Sequence, residues 1–200
     1  MRPVASRPSP MYRFLATVSS PVVNGVFRLE ARGLERLPQG GFVLAANHES
    51  NFDPWPLGIP LLPRRWLRFM AKAELYWWPL SLVTSAAGAF KVRRGSGDAD
   101  AIRTAVGLVR DGEIVVMFPE GTRRKKGMRK TRQARAHTGA ARIAQLAGAP
   151  LVPAAIKGTD RLSRLAKLQV VYGEAFEPGD DAQAATERLM NEIETLYATL

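Results

Sequence analysis

Residues 42–55 read FVLAANHESNFDPW, and the fold turns on how this stretch divides. Phe42–Ala46 is a continuous apolar run and reads as a strand. Glu49, Ser50 and Asn51 are turn formers. Asp53-Pro54 has the form of an N-cap aspartate followed by proline at the first helical position, so a helix is expected over 54–62. Strand, sharp turn and helix together are the opening unit of a parallel α/β sheet.

The rest of the chain repeats the alternation. Strands are expected at 66–71, 90–92, 113–118, 151–156 and 168–172, with EIVVMF at 113–118 the clearest. Helices are expected at 74–87, 98–110, 138–147 and 181–200. The last is amphipathic, with Ala182, Ala185, Leu189, Ile193 and Leu196 on one face. The expected fold is α/β: a single domain with a mostly parallel twisted sheet flanked by helices, preceded by an N-terminal amphipathic helical segment. Residues 1–10, MRPVASRPSP, are expected to be disordered, and 11–200 to form the domain. Within it, residues 11–32 are expected to be helical, with a break near Pro21.

Composition narrows the function classes. The chain carries 29 Lys and Arg against 18 Asp and Glu, a formal net charge of +11, which implies an anionic partner. With no cysteine, disulfides, thiolate metal sites and a cysteine nucleophile are excluded. Two histidines leave few ligands, so no metal is expected. The 16-residue uncharged run from Leu75 to Phe90 is interrupted by Pro79. It falls short of the roughly 20 apolar residues that a spanning helix needs.

His48 and Asp53 are the candidate chemistry in the opening stretch. Five helical steps would set their side chains about 140° apart, so they meet only if the backbone between them turns. A turn at the end of strand 42–46 allows that, and sites in α/β sheets lie at the carboxyl ends of strands. Asp53 would then accept a hydrogen bond from Nδ1 of His48, leaving Nε2 to take a proton from a hydroxyl. The chain has neither G-x-S-x-G nor cysteine, which leaves the hydroxyl of a second substrate as a candidate nucleophile. The plainer alternative makes Asp53 a helix cap and His48 a polar residue closing a strand.

A second cluster follows strand 113–118. In FPEGTR, Phe118 to Arg123, proline ends the strand and Gly121 permits a tight turn. Glu120 is suited to a substrate hydroxyl and Arg123 to phosphate. Here the alternative is an ordinary charged turn. Between the two clusters, GAFKVRRG at 88–95 ends a short strand in Arg93 and Arg94.

Together these motifs resemble the glycerophospholipid acyltransferase family, whose best-known members are the 1-acylglycerol-3-phosphate (lysophosphatidate) acyltransferases. Asn47, His48 and Asp53 match its N-H-x4-D motif, and Phe118 to Arg123 its F-P-E-G-T-R motif. Gly88 to Arg94 is similar to the second motif, and Leu151 to Ile156 to an apolar fourth motif with V-P. The resemblance runs from about residue 12 to 175. It implies that His48 is the general base and that Asp53 orients it. It assigns substrate contacts to Asn47, Arg94, Glu120, Gly121, Thr122 and Arg123. The acceptor would be a lysophospholipid, and the product phosphatidate if that lipid is lysophosphatidate. The donor would be a thioester of coenzyme A or of acyl carrier protein, with no cofactor. Glycerol 3-phosphate or another lysolipid as acceptor, and thioester hydrolysis, stay open as alternatives. Two features depart from the family pattern: the basic run at 123–135, and His137-Thr138-Gly139 where many relatives have lysine or arginine.

An enzyme of amphiphiles without a spanning helix must meet the bilayer from its surface. The expected location is peripheral (monotopic), on the cytoplasmic face of the cell membrane. Phe14 in the N-terminal segment and Tyr76, Trp77 and Trp78 are the candidate contacts. Basic residues at 123–135 would favour anionic lipid. Nucleic acid is not an expected partner, since no helix-turn-helix, RRM or zinc-finger pattern is visible and FPEGTR would go unexplained.

Overall fold

The structure, a computed structural model, describes residues 9–72, 88–92, 99–121 and 136–200. Its strands are β1 (Glu30–Arg32), β2 (Phe42–Ala46), β3 (Leu67–Lys72), β4 (Ala89–Val92), β5 (Ile114–Met117), β6 (Leu151–Lys157) and β7 (Gln169–Tyr172). They form one seven-stranded sheet in the order β1-β7-β6-β2-β5-β3-β4. All neighbours are parallel except β6 and β7. The helices are α1 (Pro10–Pro21), α2 (Pro54–Gly58), α3 (Ala99–Arg110), α4 (Gly139–Ala147) and α5 (Ala182–Ala198).

β2 sits at the middle of the sheet, which explains its unbroken apolar run. Side chains alternate across a strand. Val43 and Ala45 pack with Ala105, Ile143 and Leu189 of α3, α4 and α5. Phe42, Leu44 and Ala46 face the other way, onto Leu57, Val116, Val152 and Tyr172. The Tyr172 hydroxyl, buried on that second face, donates to the Leu57 carbonyl at 2.7 Å. Of the expected apolar face of α5, Ala185, Leu189 and Ile193 are buried, and Asp181 caps the helix by accepting from the amides of Gln183 and Ala184.

Three expectations change. Helix α1 begins at Pro10, inside the stretch expected to be disordered, because Ser9 caps it by accepting from the Tyr12 amide. The α-helix stops at Pro21, where the break is expected, but the chain stays helical. It continues as a π turn over Val22–Val26, and the helical segment ends before 32, where Glu30–Arg32 pairs with β7 as a strand. Helix α2 stops at Gly58 and gives way to a 3-10 turn at Ile59–Leu61, short of the expected 62, before Pro63. The helix expected at 74–87 lies outside the described residues.

Among the described residues, the N-terminal segment packs on the domain through one face. Tyr12 and Ala16 pack on Trp66, with the Tyr12 and Trp66 rings edge-on at 5.2 Å. Val23 and Phe27 pack on Leu168. Met11, Phe14, Val18, Val22 and Val26 are left exposed, at spacings of three and four that form a single apolar stripe. No helix among the described residues is long and apolar enough to cross a membrane.

Candidate active site

β2 and β5 pair in parallel, with Ala45 opposite Met117. Their carboxyl ends therefore deliver Asn47-His48 and Phe118-Pro119-Glu120 to the same sheet edge. The rings of His48 and Phe118 stack there, 4.2 Å apart and inclined by 20°. The two sequence clusters are thus in direct contact.

The backbone after β2 turns sharply enough to bring His48 and Asp53 together. Nδ1 of His48 donates to Oδ2 of Asp53 at 2.7 Å. The same oxygen accepts from the amides of Glu49 at 2.8 Å and Ser50 at 3.0 Å. Oδ1 accepts from the hydroxyl of Thr159. Asp53 is fully buried, and its Oδ2 accepts from two backbone amides, which can only donate. Where Asp53 accepts from Nδ1, the imidazole carries its proton there and its lone pair on Nε2. His48 itself keeps 18% of its side chain exposed, so the ring is reachable from outside.

The expected helix cap is corrected by this geometry. The Asp53 side chain makes no capping bond to α2, and its backbone is already helical at φ −53 and ψ −39. The carboxylate turns back onto the loop that precedes it. The two amides that a cap would serve are already accounted for: Pro56 has none, and the Trp55 amide donates to the Phe52 carbonyl at 3.0 Å, so the helix start does not need Asp53.

The substrate contact expected of Asn47 is also corrected. Its side chain is fully buried, its amide donates to the Ile156 carbonyl at 2.8 Å, and its oxygen accepts from the Ile156 amide at 2.8 Å. Asn47 thus extends the pairing of β2 with β6 by one residue, and it does not line the site.

Gly121 adopts φ +65, and a Cβ there would lie 2.5 Å from Cδ2 and Nε2 of His137. Only glycine lets the turn close on that ring. The His137 amide also donates to the Pro119 carbonyl at 2.9 Å, so the two histidines of the chain flank one turn. Glu120 is half-buried at this turn. Arg94, Thr122 and Arg123 lie outside the described residues, as do Tyr76, Trp77 and Trp78. Phe14 is 61% exposed on the apolar stripe.

An apolar groove of about 370 Å³ opens beside the His48 loop. It is walled by Tyr12, Leu15, Phe52, Trp55, Ile59 and Phe69, from α1, the loop, the α2 region and β3. Among the described residues, no three His, Cys, Asp or Glu side chains are placed to hold a metal ion.

A family model named Acyltransferase matches residues 28–157. The chain belongs to the acyltransferase family. It is 34% identical over 193 residues to the 1-acyl-sn-glycerol-3-phosphate acyltransferase of Bacillus subtilis, covering 93% of each protein. It is 28% identical over 195 residues to a probable 1-acyl-sn-glycerol-3-phosphate acyltransferase of Mycoplasma pneumoniae, covering 82% of this chain and 69% of that protein. The crystal structure of the 1-acyl-sn-glycerophosphate acyltransferase PlsC of Thermotoga maritima superposes with a TM-score of 0.65 at 23% identity, covering 94% of this chain and 81% of that one. That superposition confirms the mostly parallel α/β fold.

Several residues of this acyltransferase site were not singled out in the sequence. Phe118 lies inside FPEGTR, but stacking on His48 requires knowing that β2 and β5 are neighbours. Glu49 accepts from the Gly158 amide at 3.1 Å and the Tyr197 hydroxyl at 2.9 Å. Burial raises the pKa of the Glu49 carboxyl above the ordinary 4.5, with the Asp160 and Asp53 charges adding and the Tyr197 and Gly158 hydrogen bonds opposing. Thr159 and Tyr197 stand 106 and 148 positions from their partners, so no local pattern could reveal them.

Proposed function

We propose that the protein moves a fatty acyl chain from a thioester to the free hydroxyl of lysophosphatidate, giving phosphatidate. The observation that carries this reading is the buried Asp53 holding Nδ1 of His48, with Nε2 left as the base, in a chain alike over nearly its whole length to the Bacillus subtilis enzyme. His48 takes the proton of the acceptor hydroxyl at Nε2 as its oxygen attacks the thioester carbonyl. The new ester C–O bond forms, the C–S bond breaks, and the departing thiolate takes the proton back from the imidazolium. No covalent enzyme intermediate arises, because the nucleophile is the acceptor itself.

Other assignments follow from chemistry. Glu120 and Gly121 at the turn, with Arg94, Thr122 and Arg123, hold the glycerol phosphate end of the acceptor. The apolar groove beside Phe52 and Trp55 suits a hydrocarbon chain. The donor is a thioester of coenzyme A or of acyl carrier protein, and no cofactor takes part.

The exposed stripe Met11, Phe14, Val18, Val22 and Val26, with Phe52 beside the groove, supports peripheral membrane docking. We place the enzyme on the cytoplasmic face, where coenzyme A thioesters are found. The net charge of +11 favours anionic lipid there.

The test is an assay of purified protein with labelled coenzyme A and carrier-protein thioesters against lysophosphatidate, glycerol 3-phosphate and other lysolipids. Labelled phosphatidate formed only with lysophosphatidate supports the reading. Transfer confined to another acceptor, or release of free fatty acid alone, overturns it.

A further inference from the structure

The short segment after β6 holds the catalytic loop at each of its fixed points. Ile156 exchanges two hydrogen bonds with Asn47, Gly158 donates to Glu49, and Thr159 donates to Asp53. The segment is itself rigidly placed. Gly158 has φ +102, and a Cβ there would lie 2.3 Å from the Lys167 carbonyl oxygen. A 3-10 turn, Thr159–Arg164, follows at once.

We propose that Thr159 is a positioning residue for acyl transfer: its hydroxyl orients the Asp53 carboxylate, and Asp53 through it holds His48. The proposal rests on the acyl-transfer reading of the site. Three donors, including His48, share Oδ2, while Thr159 alone is seen to serve Oδ1 among the described residues. A carboxylate gripped at both oxygens cannot rotate about its Cβ–Cγ bond. Released at Oδ1, it would be free to rock, and the Nδ1 bond that fixes the imidazole would rock with it. Thr159 is 3% exposed and Asp53 0%, so bulk water has no path to replace the lost donor. The hydroxyl never meets substrate. Its effect on the reaction passes entirely through Asp53.

The experiment compares the wild-type chain with Thr159→Val, which keeps the shape and removes the donor, and Thr159→Ser, which keeps the donor. Initial rates give kcat and KM for thioester and lysophosphatidate. Thr159→Val is expected to lower kcat about tenfold or more, the scale of one lost charge-assisted hydrogen bond, with both KM values unchanged. Thr159→Ser is expected to restore kcat. If Thr159→Val does not fold, Thr159→Ala removes the same hydroxyl without setting a methyl against the carboxylate, and the same loss is expected. Full kcat in the donorless variants, or an equal loss in Thr159→Ser, overturns the proposal.

A second readout needs no activity. The Nδ1 proton of His48 is followed by NMR and assigned as the ring signal that persists in His137→Gln. It is expected to move or broaden in Thr159→Val and to return in Thr159→Ser. An unchanged signal in Thr159→Val overturns the proposal. A wild-type protein that transfers nothing to lysophosphatidate would sink the functional reading, while the NMR arm still decides the role of Thr159.

Discussion

The ring of Phe118 lies over the ring of His48, 4.2 Å away and nearly parallel. That contact joins the end of β5 to the loop after β2, so the proposed base is packed against the turn we assign to the acceptor. It also covers one face of the imidazole, while Asp53 holds one edge. Among the described residues, Nε2 has no hydrogen-bond partner, and the side chain is 18% exposed.

Asn47 gives a sharp separation of roles. Asn47→Ala would leave the Ile156 amide and carbonyl buried without their side-chain partner, a loss of about 2–5 kcal/mol. Denaturant unfolding should show that loss, while KM for lysophosphatidate in the folded fraction stays at the wild-type value. A raised KM with unchanged stability would instead make Asn47 a substrate contact.

Glu49 predicts a pH dependence. Its folded pKa lies above 4.5, chiefly through burial, so the folded state binds the proton more tightly than the unfolded chain. Its stabilising contribution is full below that unfolded value and is lost as pH rises through the folded one. Thermal unfolding of wild type and Glu49→Gln should therefore give a stability difference that declines as pH rises across this window. Parallel curves would contradict it.

At Gly121 the prediction is steric. Gly121→Ala places a methyl group against the His137 ring at φ +65 and should cost about 1–2 kcal/mol from the left-handed backbone alone. His137→Ala in the same chain should recover the part due to the ring contact. Chemical denaturation of the single and double variants measures this coupling, and strict additivity would show that the ring simply swings away.

Much of this architecture was legible beforehand. β2, β5 and β6 are central strands with uninterrupted apolar runs, and α5 shows its buried face plainly, so periodicity located them. His48 and Asp53 were legible because five residues is a short enough loop for the turn formers between them to close. β1 was not: Glu30-Ala31-Arg32 has no apolar pattern and is a strand only because β7 offers it an edge. The role of Asn47 was hidden for a related reason. A motif asparagine beside the candidate histidine looks like a substrate contact until β6 is known to run alongside. Thr159 and Tyr197 depend on tertiary neighbours throughout.

The apolar stripe yields a membrane prediction. Phe14 and Val18 are 61% and 59% exposed, and burying one such side chain in lipid contributes about 1.5–3 kcal/mol. Phe14→Glu with Val18→Glu should weaken sedimentation with anionic vesicles at least about tenfold. Circular dichroism should report an unchanged fold. Undiminished vesicle binding would remove this stripe as the docking surface.

The central claim is that His48 is the base, and it is tested most directly by the rate of phosphatidate formation in His48→Ala. His48 is only partly buried, so the variant should fold like wild type. Loss of the base should lower kcat by about 10²–10⁴-fold, with thioester and lysophosphatidate still bound. A folded His48→Ala protein that forms phosphatidate at the wild-type rate would contradict the account.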